Sequence, residues 1–173
     1  LEDLGQVVID LGSDKYEHIS RQLAIHGIKV FSVNPQLLLP QVRHQAKADS
    51  PRAPDIAPWQ ARSVVAIGQH LPFPARFADS LISTMAVPLK LAKTFSEYYT
   101  AFSEIDRVLK PNRRAFIYPI LQTTVLPESH DFELAIQAIS ALSHLEYSLE
   151  PMASYHNLNG HHVSYRLILY KLA

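Results

Sequence analysis

The sequence predicts an α/β domain built on a mostly parallel sheet, and two observations carry that expectation. From Gln6 onward, short apolar, β-branched runs alternate with segments of helical period. That is the pattern of strands joined by right-handed crossover helices. The end of the chain departs from it, with two long strand-like runs, 147–156 and 162–172, flanking a turn at 157–160. Asn159–Gly160 is a hairpin signal, and a hairpin added to a parallel sheet makes one strand antiparallel.

Taken in order, 6–11 (QVVIDL) is an apolar run ending at Gly12, as expected of a buried parallel strand. Ser13 is placed to cap a helix, with Asp14 and Glu17 in its first turn, where acids suit the helix dipole. Ile19, Leu23 and Ile25 keep a helical period, and Gly27 stands where a terminating glycine belongs. Residues 28–33 form the second strand. A short helix is expected at 40–48, and the three prolines of 49–58 mark a loop. Residues 63–67 and 80–85 are the third and fourth strands. The helix 94–109 carries Phe95, Tyr98, Tyr99, Phe102, Ile105 and Leu109 at helical spacing, which assigns its aromatics to the core, and Pro111 stops it. A fifth strand at 115–120 and an amphipathic helix at 128–145 precede the hairpin.

Bulk composition excludes several classes. The length of 173 residues is that of one domain. Sixteen acids balance sixteen bases, and the basic spots at Arg113–Arg114 and 43–52 are too short for a nucleic-acid stripe. Without cysteine there is no disulfide, thiolate zinc site or cysteine nucleophile. No apolar run is long enough to span a membrane, and no secretory signal is present, so a soluble, cytoplasmic protein is expected. The chain begins at Leu1, as a fragment, processed chain or excised domain would.

Motif searches are mostly negative. Gly-x-Ser-x-Gly, the P-loop and the nicotinamide fingerprint are all absent. His156, His161 and His162 gather at the hairpin turn with Asn157 and Asn159, but adjacent histidines on a strand face opposite sides, so no metal site is expected. His18 and His26 are too far apart to share an ion. Trp59, in the proline-rich loop, either closes the edge of the core or anchors a partner.

Three segments, 7–35 (VVIDLGSDKYEHISRQLAIHGIKVFSVNP), 70–83 (HLPFPARFADSLIS) and 104–117 (EIDRVLKPNRRAFI), taken in this order, resemble the class I S-adenosylmethionine-dependent methyltransferases, of the type 11-like group. Residues 7–35 look like their opening β-α-β unit, with Asp10, Gly12, a helix and a second strand in order. Residues 70–83 (HLPFPARFADSLIS) resemble their LPF stretch leading to an acid, here Asp79, before the fourth strand. Residues 104–117 (EIDRVLKPNRRAFI) resemble their helix ending in RVLKPGG. The resemblance implies a Rossmann-like three-layer sandwich, with a seven-stranded sheet in the order 3-2-1-4-5-7-6 and strand 7 antiparallel. It also implies a single domain over 1–173 that lacks the N-terminal helices often covering the cofactor.

The implied cofactor is S-adenosylmethionine, and the positions matching its contacts are Asp10, Gly12, Asp14, Tyr16, Asn34, Ile67 and Gln69. Several depart from the family pattern. Asp14 and Tyr16 replace the second and third glycines of the first loop, which let the backbone approach the cofactor. Asn34 replaces the acid that grips both ribose hydroxyls, and an amide accepts only one such bond while donating another. Ile67 replaces the acid that bonds adenine, leaving Gln69 as the nearby polar substitute. After strand 4, Ser83, Thr84 and Lys90 offer no identifiable base. Fold signals thus persist while cofactor signals decay.

The expectation is a methyltransferase-like domain with weak or lost cofactor binding. It would act as a binding, regulatory or structural module, with a protein partner or further domains of a longer chain. The alternatives are an active methyltransferase of unknown substrate with an atypical loop, and a binder of a different small molecule in the same crevice. A pure scaffold predicts a crevice filled by Tyr16 or Ile67. An enzyme predicts one open beside Gly12, Asn34 and Gln69.

Overall fold

In the computed structural model, residues 2–13, 18–35, 62–84, 86, 92–121, 128–142, 144–157 and 160–173 are described. Seven strands form one sheet: β1 (Val7–Leu11), β2 (Lys29–Val33), β3 (Ser63–Val64), β4 (Ala78–Thr84), β5 (Leu109–Leu121), β6 (Leu145–Asn157) and β7 (Gly160–Lys171). Their order is β3-β2-β1-β4-β5-β7-β6, as the resemblance implied. β2, β1, β4 and β5 run parallel, and β7 is antiparallel to both β5 and β6.

Side chains alternate across this sheet with period two, which is why each apolar run feeds two cores. On one face Ile9, Leu11, Val33, Leu81, Ile117 and Leu169 pack with Tyr98, Phe102 and Ile105 of α2 (Phe95–Val108) and with Ala135, Ile136 and Ile139 of α3 (Glu128–Leu142). On the other, Val8, Val30 and Ile82 meet Ile19 and Leu23 of α1 (His18–Ile25). Helices on both faces make the three layers. The α2 aromatics Tyr98 and Phe102 are therefore core, as their spacing indicated.

Element ends follow local chemistry. Gly27 has φ +75° just past α1, the left-handed turn that glycine adopts without strain. Thr94 and Glu97 form a capping box on α2: the Glu97 amide donates to Thr94 Oγ1 at 3.4 Å, and the Thr94 amide to Glu97 Oε2 at 3.2 Å. Asp131 of α3 accepts from the Phe95 amide at 3.0 Å, tying the two helices together.

Some boundaries differ from expectation. β3 stops at Val64 instead of residue 67, because the chain turns back at Ile67, whose carbonyl accepts from the His70 amide at 3.0 Å. β5 starts at Leu109, well before residue 115. Pro111 disfavours helical backbone in the residue ahead of it, and the chain leaves α2 already extended at Leu109, with φ −70° and ψ 140°. Ala78 pairs with Leu109 but Ser80 with Arg114, so 110–113 bulge out, with Asn112 at φ +60°. α3 ends at Leu142, since Leu145 is already paired with Lys171 in β6. The helix expected at 40–48, the loop at 49–58 and Trp59 lie outside the described residues.

Two polar nodes couple the motif segments. Glu104 accepts from the Leu71 amide at 2.8 Å and from Arg107 Nε at 2.6 Å, while Arg107 donates to the carbonyls of Leu71 and Phe73 at 2.8 and 2.7 Å. This clasp holds the LPF segment on α2 and seats Phe73 against Phe77, ring centroids 5.0 Å apart, and Phe31, 5.6 Å away. The second node is Asp79. Its Oδ2 accepts from the amides of Gln6 and Val7 at 2.9 and 3.0 Å, and its Oδ1 from Lys110 Nζ at 2.8 Å. Gly5, at φ +73°, passes so close that a side chain there would overlap Asp79.

Both carboxyls sit below the ordinary range. For Glu104 the Arg107 hydrogen bonds dominate. For Asp79 burial pushes upward, but Lys110 and the Gln6 and Val7 amides together outweigh it. A carboxyl whose folded pKa is depressed adds stability that is full above its unfolded pKa and is lost as pH falls through the folded one. Asp79→Asn is expected to cost about 1–3 kcal/mol at neutral pH and to flatten the decline in stability below about pH 4. Urea denaturation across an acid pH series measures both. Glu104→Ala strips a partner from the Leu71 amide and is expected to cost about 1–3 kcal/mol, read as a lower urea midpoint at unchanged m.

Candidate functional site

The carboxyl ends of β1, β2, β3 and β4 converge where open α/β sheets hold ligands. Gly12 leaves β1 with φ +79°, and its amide donates to the Val33 carbonyl at 2.8 Å. The Asn34 amide N–H donates to the Val64 carbonyl at 3.0 Å, carrying the ladder from β2 to β3. The Asn34 side chain then turns back across the β1 tip and donates from Nδ2 to the Ser13 carbonyl. Both residues are buried, with Asn34 5% exposed. Ser13 Oγ is buried with no hydrogen-bond partner among the described residues.

From β4 the chain brings Ala86 over Gly12. Ala86 is buried, and a Cβ on Gly12 would overlap its methyl group. Gly12 is thus required twice, by its left-handed backbone and by this close approach. Asp10 lies one layer deeper, facing α1. It is 2% exposed, and Ser20 Oγ donates to its Oδ2 at 3.4 Å. Ser20 also shares a hydrogen bond with Ser32, the register partner of Asp10 on β2. Asp10 therefore belongs to a buried network between β1, β2 and α1.

Of the residues singled out by the sequence, Gly12 and Asn34 are brought together, and Asp10 sits beneath them. Ile67 and Gln69 follow β3. Ile67 is 48% exposed, so it does not fill a crevice, and Gln69 is half-buried beside the buried Gly68. Asp14 and Tyr16 lie outside the described residues, as does Lys90, while Ser83 is fully buried and Thr84 half-buried. Ser13, Ser20, Ser32 and Ala86 were not singled out. Ser20 and Ser32 hinted at their role only as polar residues on otherwise apolar faces. Nothing in the spacing placed Ala86 on Gly12.

Among the described residues no group of three His, Cys, Asp or Glu is placed to hold a metal ion. His156 and His161 are register partners across the hairpin, whereas His162 pairs with Tyr155. No described helix is long and apolar enough to cross a membrane.

Gly12→Ala is expected to cost at least about 2 kcal/mol, from the positive φ and the overlap with Ala86 together. Gly27→Ala, where the added methyl meets open space, is expected to cost about 1 kcal/mol, that of the backbone alone. Thermal melts of the pair test whether Ala86 packs on Gly12.

No protein-family model matches this sequence, and no curated protein is significantly similar to it. Solved structures are similar over almost the whole chain. An S-adenosylmethionine-dependent methyltransferase from Methanosarcina mazei superposes with a TM-score of 0.62 at 16% identity, covering 99% of this chain and 95% of that one. The geranyl diphosphate C-methyltransferase of Streptomyces coelicolor gives 0.61 at 11% identity, covering 99% and 76%. The [4+2]-cyclase SpnF gives 0.62 at 11% identity, covering 99% and 77%. The chain thus has the class I methyltransferase fold. One neighbour is a cyclase, so the fold alone does not fix the chemistry.

Proposed function

We propose that this is a methyltransferase-like domain whose strand tips bind S-adenosylmethionine weakly or not at all, and that it serves as a binding, regulatory or structural module for a protein partner or for further domains of a longer chain. The observation that carries this reading is the bond from Asn34 to the Ser13 carbonyl. It commits the amide that would meet a ribose to the protein's own backbone. An amide presents one accepting oxygen, where a carboxylate presents two. Ala86 adds to this, because it packs directly on Gly12 and closes one side of that glycine. The residues present are a poor match to the cofactor.

A second reading, an active methyltransferase with an atypical loop, draws support from two features. Gly12 keeps the left-handed conformation of a cofactor-approach glycine, and Ile67 stays exposed beside the tips.

Isothermal titration with S-adenosylmethionine, and separately with S-adenosylhomocysteine, divides the two. The module reading expects no saturable heat up to high micromolar protein that is shown to be folded. Micromolar binding of either ligand would sink it. Asn34→Asp sharpens the comparison. A carboxylate cannot donate to the Ser13 carbonyl, so stability is expected to fall by about 1–3 kcal/mol with no gain in binding. A tenfold or greater gain would instead favour the enzyme.

A further inference from the structure

Among the described residues β6 is the outer strand of the sheet, and its edge protections, Pro151 and the register shift between Pro151 and Ala153, fall beyond the stretch 145–149. Which of its backbone groups face outward follows from one hydrogen bond and the register. The Leu172 amide donates to the His144 carbonyl at 2.9 Å, and Leu145 is paired with Lys171. His144 and Leu172 are therefore a hydrogen-bonded pair of the antiparallel ladder. Such pairs recur at every second residue, so the even residues 146, 148 and 150 bond to β7. The N–H and C=O groups of Leu145, Tyr147 and Leu149 point away from the sheet. On the same strand Tyr147 is 42% exposed and Leu149 48% exposed. Pro151 falls in the outward set as well, a position where its missing N–H costs the ladder nothing.

We propose that this edge pairs with the β6 edge of a second copy of this chain, antiparallel and centred on Tyr147, joining two seven-stranded sheets into one. The sequence of the edge selects that register. With Tyr147 on the two-fold axis, the three outward pairs are Tyr147 with Tyr147, Leu145 with Leu149 and Leu149 with Leu145. Each exchanges two main-chain bonds, and the tyrosine and leucine side chains meet on one face. On the other face Glu146 stands opposite the partner's Ser148, and Glu150 opposite the partner's exposed His144, so no like charges meet. Moving the centre to Ser148 sets Glu146 against Glu150 and Pro151 against Leu145, so like charges meet and a bond is lost on each side. Moving it to Leu149 sets Pro151 against Tyr147 and loses a bond on each side. An isologous contact of this kind closes as a dimer. It depends on the sheet edge and not on the strand tips, so it stands or falls apart from cofactor binding.

Sedimentation velocity over a concentration series tests it, expecting a reversible dimer with Kd on the order of micromolar for so small an interface. Tyr147→Lys and Tyr147→Glu each place like charges on the two-fold axis and are each expected to weaken the dimer at least about tenfold. Mixed in equal amounts, they are expected to form a Lys–Glu heterodimer and restore association. Leu149→Pro removes only outward N–H groups and is expected to give a monomer with an unchanged circular dichroism spectrum. A wild-type monomer at every concentration overturns the proposal and leaves the edge to a strand from another protein. Dimers that persist in both charge variants, or single-variant monomers that fail to associate on mixing, also overturn it.

Discussion

Asp79 fixes the level at which three strands enter the sheet. One carboxylate, almost wholly buried, takes two amides from the start of β1 and the ammonium of Lys110 from the bulge in β5, while itself standing on β4. Strands joined at their entry have little freedom at their exit, because a one-residue slip would exchange the two faces of each. The core then follows. Ile9 and Leu81 must face α2 and α3, while Val8 and Ile82 must face α1. The geometry of the tips follows as well, since Gly12 and Asn34 meet only if β1 and β2 end in step. Gly5 belongs to the same arrangement, because any side chain there would displace the carboxylate that sets the register.

Much of this fold could be read before any coordinates. Short apolar runs, helical periods, Pro111 and the glycine after α1 are local signals, and they placed most strands and helices to within a few residues. The misses were tertiary in origin. β3 is cut short by the turn at Ile67 and His70, which no local pattern marked. β5 starts early because the sheet recruits residues on both sides of a bulge. The site was less accessible. Positions such as Gly12 and Asn34 could be picked out by their place at strand ends. That the Asn34 amide turns inward to Ser13, and that Ala86 lands on Gly12, depend on contacts between segments distant in sequence, and single-chain spacing does not encode those.

Fold and site make different demands on the sequence. The sheet and its helices need apolar side chains of suitable size at alternating positions, and many sequences supply them. This explains how a chain only 11–16% identical to three solved structures shares their architecture almost end to end. A ligand site needs particular atoms, and here the Asn34 side-chain amide donates to the Ser13 carbonyl. The buried network of Asp10, Ser20 and Ser32 belongs to the same economy of polar groups: it bonds α1 to the sheet from within an otherwise apolar interface. Partly satisfied buried polar groups are costly, so such a network confines the helix to one seating.

Among the described residues the two edges of the sheet are unequal. β6 offers a long row of main-chain groups, whereas β3 contributes two residues before the chain turns away. A sheet elongates into a fibril only if each added unit exposes a fresh edge able to template the next. With so short a strand on the far side, whatever occupies β6 terminates the stack, and the molecule carries its own brake on polymerisation.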